Sequence, residues 1–267
     1  MQPVRRAAVV THGRAEAVGP ALTRLRAVAA AAGVELAVDG EAVGEQRPAD
    51  IAIVLGGDGT MLRALARFLD SGTPVIGVNY GRVGFLTAIT ADGLEAGLER
   101  VFAGDYLTVE LATIEVDVGG MTHVAVNDTV VAGGTLGRMV ELAYAIGGED
   151  LGVQPCDGLL CATPTGSTAY NLSNGGPVLV WGLDAMALTF VAPHALHIRP
   201  LVVPRGPEVT ITNKTLDLEA SVLVDGRKVA SLPTDEAATV RCGRRPSLLA
   251  TLPEVTFFRR YGATFGH

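Results

Sequence analysis

The chain has 267 residues, 48% hydrophobic and 18% charged, which is enough apolar material for a sizeable core and too much for a disordered or low-complexity protein. Its net charge of -7 comes with dispersed basic residues, in no run longer than Arg244-Arg245 or Arg259-Arg260, so the electrostatic footprint of a nucleic-acid binder is missing. Three cysteines, Cys156, Cys161 and Cys242, form no CxxC pair, which excludes a disulfide framework and a zinc ribbon and fits a reducing compartment.

In chain order, the apolar run Ala7-Ala8-Val9-Val10 ends at Thr11-His12-Gly13. A helix is expected over 15–32, where Leu22, Leu25, Val28 and Ala29 fall at helical spacing. A short strand at 34–38 and a polar loop follow. Ile51-Ala52-Ile53-Val54-Leu55 is a strand with no polar alternation; it runs into a glycine turn and a helix carrying Met61, Leu62, Leu65 and Phe68. A strand at 74–78 ends in a second glycine turn, and a helix over 94–102 closes the unit. Continuous apolar strands alternating with helices predict a parallel sheet covered on both faces.

After residue 104 the period changes to two. Strands are expected at 106–118, 122–131, 139–146, 185–191 and 209–212, and at 220–230 around the turn Asp225-Gly226. One short helix is expected at 168–172. This part reads as mostly antiparallel β, a sandwich, and no internal repeat is present. The stretch 256–267 is aromatic early and is expected to fold back onto one of the two parts. The fold class is therefore α/β plus all-β, with domains at 1–104 and 105–242 and a tail at 243–267. The N-terminus shows no signal-peptide pattern. The longest uncharged tract, 158–183, is too rich in Gly, Pro, Ser, Thr and Asn for hydrocarbon, so a cytoplasmic protein without membrane contact is expected.

Gly56-Gly57-Asp58-Gly59-Thr60 lies directly after the strongest strand and directly before a helix. Ligands bind beyond the carboxyl ends of strands in such sheets. Glycines let main-chain N–H groups approach an anion, and the helix N-terminus adds positive potential. An acidic residue inside a phosphate cradle is unfavourable unless it holds a metal or takes a proton from an attacking hydroxyl. The alternative is that Asp58 only caps the helix. The loop is no Walker A motif, since the only lysines are Lys214 and Lys228, and it lacks GxGxxG spacing. A second constellation, residues 157–177, surrounds Tyr170 with hydroxyls and glycines suited to bonding a ribose, an adenine edge or a diphosphate. A third, Asn127-Asp128, ends the run Val124-Ala125-Val126; such a pair alone is more often a turn and by itself is a weak signal. His12 follows the first strand, His194 and His197 read as structural, and no zinc-type spacing occurs.

Gly56 to Thr60, Asn79-Tyr80-Gly81-Arg82-Val83-Gly84-Phe85, Asn127-Asp128, the block 157–177, and Ala192-Pro193-His194 followed by Arg199-Pro200-Leu201 occur in the order found in NAD kinases. The chain resembles that family over essentially its whole length, and 163–170 is the most specific signature. The resemblance implies a Rossmann-like N-terminal domain, a β-sandwich-like C-terminal domain, a tail returning to the first, and an active site between the domains. It implies that Asp58 accepts the proton of the 2′-hydroxyl of the adenosine ribose of NAD, with Gly59 beside it contacting the dinucleotide and Gly56, Gly57, Gly59 and Thr60 forming the phosphate loop. Asn127, Asp128 and Asp157 are implied to bind NAD. Thr168, Ala169, Tyr170, Asn171, Leu172 and Ser173 are implied to line the adenosine side, and Arg63, Arg138, Ala192 and Arg227 match further contact positions. The same resemblance implies ATP or polyphosphate as donor, Mg²⁺ or Mn²⁺ held largely by the donor's phosphates, no metal held by protein ligands alone, and a homo-oligomer, dimer or tetramer. The chain departs from the family pattern at Asp128, where Glu is usual, at Cys156, in place of a Gly, and at Arg227, in place of Gln.

The alternative enzyme is a lipid kinase of the diacylglycerol or sphingosine type, sharing the glycine loop. The hydroxyl-rich run 163–173 and the lack of a basic or amphipathic membrane-contact segment stand against it. The non-enzymatic alternative, a dinucleotide-binding regulator, would need Asp58 to be dispensable.

Overall fold

The computed structural model describes residues 2–11, 15–38, 48–81, 84–134, 138–195 and 197–266, leaving aside the side chains of 15–17. It is a mixed α/β protein with three sheets. The chain divides into two compact units, Met1–Glu110 with Ser247–His267, and Leu111–Pro246.

The first unit holds one sheet with its main strands in the order Glu35–Val38, Arg6–Thr11, Ile51–Gly56, Val75–Asn79, Ser247–Thr251, Leu107–Leu111. Ile51–Gly56 is parallel to both neighbours, with Ile53 opposite Val9 and Ile76. All six of its residues are buried, and this is why the strand shows no alternation in sequence. Helix Leu94–Phe102 buries Leu94, Leu98, Val101 and Phe102 along one stripe, and helix Ala15–Ala32 contributes Ala21, Leu25, Val28 and Ala29 to the same core. Helix Asp58–Arg67 buries Met61, Ala64 and Leu65. It lies so close to Val75–Asn79 that a Cβ on Gly77 would stand 2.6 Å from Met61 Sδ.

The C-terminal residues complete this unit. Ser247–Thr251 pairs parallel to Val75–Asn79 through Leu249 and Val75. Helix Phe257–Phe265 follows, its N-terminus capped by Thr256 Oγ1, which accepts from the Arg259 N–H at 3.3 Å. Sequence periodicity does not show Ser247–Thr251, because five residues become a strand only through a partner far away in the chain.

The second unit holds two six-stranded sheets. One runs Glu149–Cys156, Val140–Ile146, Val209–Asn213, Ala237–Cys242, Ile114–Val118, Met121–Ala125; the other runs Leu201–Pro204, Ala185–Val191, Gly158–Ala162, Asp128–Gly133, Ala220–Val224, Arg227–Leu232. All the pairings among them are antiparallel. Ile114, Leu142, Ile211 and Val240 of the first sheet share one core with Val131, Leu159, Leu188 and Val222 of the second. Cys156, Cys161 and Cys242 are free thiols within it. Burial pushes the Cys156 and Cys161 thiols up to about 12, so both act as small apolar fillers.

Several element boundaries differ from the sequence expectation. The strand expected over 106–118 is two, Leu107–Leu111 and Ile114–Val118, in different sheets. At the break Thr113 Oγ1 donates to the Arg245 carbonyl and the Gly243 N–H donates to the Thr113 carbonyl, both at 2.7 Å. The strand expected over 122–131 breaks at Val126-Asn127, whose N–H groups bond a side chain rather than a ladder. Glu149–Cys156 carries Gly152 and Pro155 on a sheet edge, and Gly158–Ala162 is wholly buried without alternation; neither reads as a strand in sequence. The helix expected at 168–172 is a 3₁₀ turn, Gly166–Thr168, followed by one helical turn, Tyr170–Ser173.

Gly77→Ala tests the closeness of helix and sheet. Overpacking against the fully buried Met61 should cost about 1–3 kcal/mol, roughly 2–4 °C of melting temperature per kcal/mol. An unchanged melting temperature would mean that Met61 repacks freely.

Candidate active site

In the first unit, the strand Ile51–Gly56 delivers the glycine loop at its carboxyl end. Gly56 is required by packing, since a Cβ there would lie 2.7 Å from Thr60 Oγ1. Gly57 is the extended residue before the helix, and its carbonyl accepts from the Thr60 and Met61 N–H groups at 2.9 and 3.1 Å. The first helical N–H groups, at Asp58 and Gly59, lie ahead of any intrahelical acceptor. Around the Cα atoms of Gly57 and Gly59 there is open space.

Asp58 does not cap its helix, which has no side-chain cap. Its carboxylate instead accepts from the Phe85 N–H at 2.6 Å and the Leu86 N–H at 3.0 Å. Any side chain on Gly84 would collide with that carboxylate, which gives the last glycine of the 79–85 motif its physical reason. The start of the motif is turned by Asn79 Oδ1, which accepts from the Gly81 N–H at 2.9 Å. Arg63 is half-buried, with Nη2 donating to Thr60 Oγ1 at 3.4 Å. His12, Gly13, Arg82, Val83 and Leu196 lie outside the described residues.

In the second unit, Asn127-Asp128 is held by a residue that reads in sequence as an ordinary turn. The Asp225 carboxylate accepts from the N–H groups of Val126 at 3.0 Å, Asn127 at 2.7 Å and Asp128 at 3.2 Å. Its own N–H donates to the Asp128 carbonyl at 2.9 Å, and its φ is +46°. From the other side the Thr163 N–H bonds the Asn127 carbonyl at 2.8 Å, and Thr163 Oγ1 donates to the Val126 carbonyl at 2.6 Å. Gly166 sits against the Asn127 main chain with no room for a side chain. Among the described residues, Asn127 Oδ1 and Thr165 Oγ1 are buried with no hydrogen-bond partner. Folded proteins leave few such atoms, so a pair beside one loop marks a place for a polar ligand.

Asp128 is 7% exposed. Burial, with the Asp225 charge as the smaller cause, pushes its carboxyl up to about 7. Burial also raises Asp225, against the lowering effect of the three N–H donors.

The run 163–177 divides between framework and surface. Asn171 is fully buried: its amide donates to the Ser167 and Pro177 carbonyls at 3.1 and 3.0 Å and accepts from Thr189 Oγ1 at 2.7 Å. Ser167 Oγ is likewise bonded inside the fold, to the Pro164 carbonyl at 2.7 Å and from the Leu179 N–H at 2.9 Å. Thr168, Ala169 and Leu172 are half-buried, and Tyr170 and Ser173 are exposed. Asp157 is exposed between two strands; its N–H bonds the Val191 carbonyl and its carbonyl accepts from Gly133. Ala192 is exposed with φ +45°, a strained conformation for a residue with a side chain. Arg138 and Arg227 are exposed. No group of three or more His, Cys, Asp or Glu gathers among the described residues. Gly84, Thr165 and Asp225 are the positions that sequence reasoning gave no individual role; Gly84 and Thr165 lie inside the motifs 79–85 and 163–170, whereas Asp225 read only as a turn.

The raised Asp128 pKa has a signed consequence. The folded carboxyl keeps a proton that the unfolded chain releases near 3.8, so this stability is complete below about 4 and is lost as pH rises through about 7. Asn at 128 is neutral throughout. The stability of Asp128→Asn relative to the parent should therefore be greater at pH 8 than at pH 5 by on the order of 1–4 kcal/mol. Parallel denaturation curves at the two pH values would contradict the shift.

Comparison with known proteins shows the family of the chain. Residues 27–106 match the family described as the ATP-NAD kinase N-terminal domain, and residues 126–252 match the ATP-NAD kinase C-terminal domain. The NAD kinase of Gemmatimonas aurantiaca is 38% identical over 232 residues, covering 85% of this chain and 80% of that protein. That of Nitratidesulfovibrio vulgaris is 35% identical over 263 residues, 94% of this chain and 92% of that one. The crystal structure of an NAD kinase from Archaeoglobus fulgidus in complex with ATP superposes with a TM-score of 0.82 at 25% identity, covering 98% of this chain and 99% of that chain. Yeast NADH kinase complexed with NADH shares the fold, with a TM-score of 0.86 at 22% identity over 99% of this chain and 88% of that chain. The chain belongs to the NAD kinase family.

Proposed function

We propose that this enzyme transfers a phosphoryl group from ATP to the 2′-hydroxyl of the adenosine ribose of NAD, making NADP, with Asp58 as proton acceptor. The 2′-oxygen bonds the γ-phosphorus, the bond to the ADP oxygen breaks, and the hydroxyl proton passes to Asp58. The observation that carries this reading is the Asp58 carboxylate itself. It is held by two main-chain N–H groups instead of capping its helix, beside the open space at Gly57 and Gly59. Such a carboxylate is oriented in advance and keeps lone pairs free for a hydroxyl.

In this reading the free N–H groups of the first helical turn, with the helix dipole, face phosphate charge. Asn127 and Asp128 bond ribose hydroxyls, and the buried Asn127 Oδ1 and Thr165 Oγ1 find partners in the substrate. Tyr170 and Thr168 offer a ring face and a hydroxyl to the adenosine, while Asp157, Ala192, Arg138, Arg63 and Arg227 supply outer contacts. Asn171 contributes by shaping the turn. The unit of parallel strands is read as Rossmann-like and the two-sheet unit as a β-sandwich. A Mg²⁺ or Mn²⁺ ion would arrive on the donor's phosphates, and when bound it would neutralise phosphate charge. A homo-oligomer, dimer or tetramer, belongs to the same proposal. Leu151 and Val153 on one edge strand, and Leu201 and Val202 on another, are exposed and apolar. No helix among the described residues is long and apolar enough to cross a membrane.

The direct test is incubation with NAD, ATP and Mg²⁺, scored by an NADP-specific dehydrogenase. Asp58→Asn should keep the fold and lose about 10²–10⁴ in turnover; a loss under about tenfold would end its role as proton acceptor.

Gly59→Ala separates a ligand's glycine from a structural one. The new methyl meets nothing within 4 Å and improves helix propensity by up to about 1 kcal/mol, so the melting temperature should hold or rise. Yet kcat/KM should fall by about tenfold or more, because a Cβ blocks close main-chain approach of the substrate. Unchanged kinetics would show that nothing approaches Gly59.

A further inference from the structure

We propose that Arg260, on the C-terminal helix, is a positioning residue for Asp58, holding the peptide group through which Asp58 is itself held. The proposal rests on the reading of Asp58 as proton acceptor.

Arg260 is 5% exposed. Its Nη1 donates to the carbonyl oxygens of Phe85 at 2.8 Å and Thr87 at 2.6 Å, and its Nη2 donates to Thr251 Oγ1 at 2.9 Å. On the opposite side of the same segment, the N–H groups of Phe85 and Leu86 donate to Asp58. The Phe85 carbonyl and the Leu86 N–H belong to one planar peptide group. That group therefore has a guanidinium on its oxygen and a carboxylate on its hydrogen. Each contact is charge-assisted, and in a buried setting each polarises the other. The same helix also fixes the apolar side of the segment. Phe85 meets Phe257 edge-on at 5.4 Å between ring centroids and lies 6.3 Å from Phe265.

The two charges sense each other. Burial lowers the Arg260 pKa to about 10, leaving it a cation at neutral pH, and the negative charge of Asp58 opposes that lowering. Anchoring alone does not account for an arginine here, since an apolar side chain would pin the helix without desolvating an ion. A planar fork that reaches two carbonyls and a hydroxyl together is a guanidinium's property and not an ammonium's. Residues 257–265 thus act on the reaction without touching substrate.

Arg260→Lys keeps the charge and loses the fork. Its kcat should fall by about tenfold to a hundredfold through misplacement of Asp58, while KM for NAD stays within about threefold. Introduced into Asp58→Asn, the same change should cost less than about threefold more, because the two residues act as one unit. Arg260→Gln, read in the same way, serves if the lysine variant gives no cooperative melt. Three results would overturn the proposal: an unchanged kcat per folded enzyme, a loss confined to KM, or losses that multiply in full in the double variant. If Asp58→Asn alone lost under about tenfold, the assignment of Asp58 would fall, and this proposal with it. A large Asp58→Asn loss beside a neutral Arg260→Lys would remove only the role of Arg260.

Discussion

The hydrogen bonds from Phe85 and Leu86 to the Asp58 carboxylate are the constraint on which much of the first unit depends. They require the segment after Val75–Asn79 to lie directly over the start of helix Asp58–Arg67, and no residue but glycine fits at 84. They place a carboxylate at the mouth of a glycine loop without using it as a helix cap. A carboxylate without these donors would move freely. Two main-chain donors fix its direction.

The second unit uses a related device. Asp225 holds three consecutive N–H groups of residues 126–128, so the main chain leaves its ladder at Val126-Asn127 and resumes at Asp128 in an ordered turn. The loop is pinned again by Thr163 and Gly166. Burial of Asp128 at this loop, with the nearby Asp225 charge adding a smaller part, is electrostatically unfavourable and raises the Asp128 pKa. Orphaned polar atoms at Asn127 and Thr165 have a similar character. Groups poorly satisfied by the fold keep their bonding capacity for another partner, at a cost in stability.

Much of the architecture was legible from local pattern. Ile51–Gly56 reads as a central strand because burial on both faces leaves an uninterrupted apolar run, and 94–102 reads as a helix because one face alone is covered. The glycine loop was visible from composition and position together. Strands without alternation, such as Gly158–Ala162, and those paired to distant residues, such as Ser247–Thr251, were not. Asp225 looked like an ordinary Asp-Gly turn, since nothing adjacent in sequence reveals that its partners lie almost a hundred residues earlier.

The sequence by itself determined where glycines, hydroxyls and a lone acidic residue gather after an apolar strand, because these are properties of short stretches. Tertiary structure alone decided what each side chain does there. Asn171 and Ser167 belong to a hydroxyl-rich run yet are bonded inward, whereas Tyr170 beside them is open. Gly59 and Gly84 look alike in sequence, but one borders open space and the other makes room for a carboxylate. Arg260 stands on the C-terminal helix, and only folding brings it behind the peptide that holds Asp58. Such roles depend on which donors and acceptors converge in space, and convergence between residues far apart in the chain leaves no local trace in composition or period.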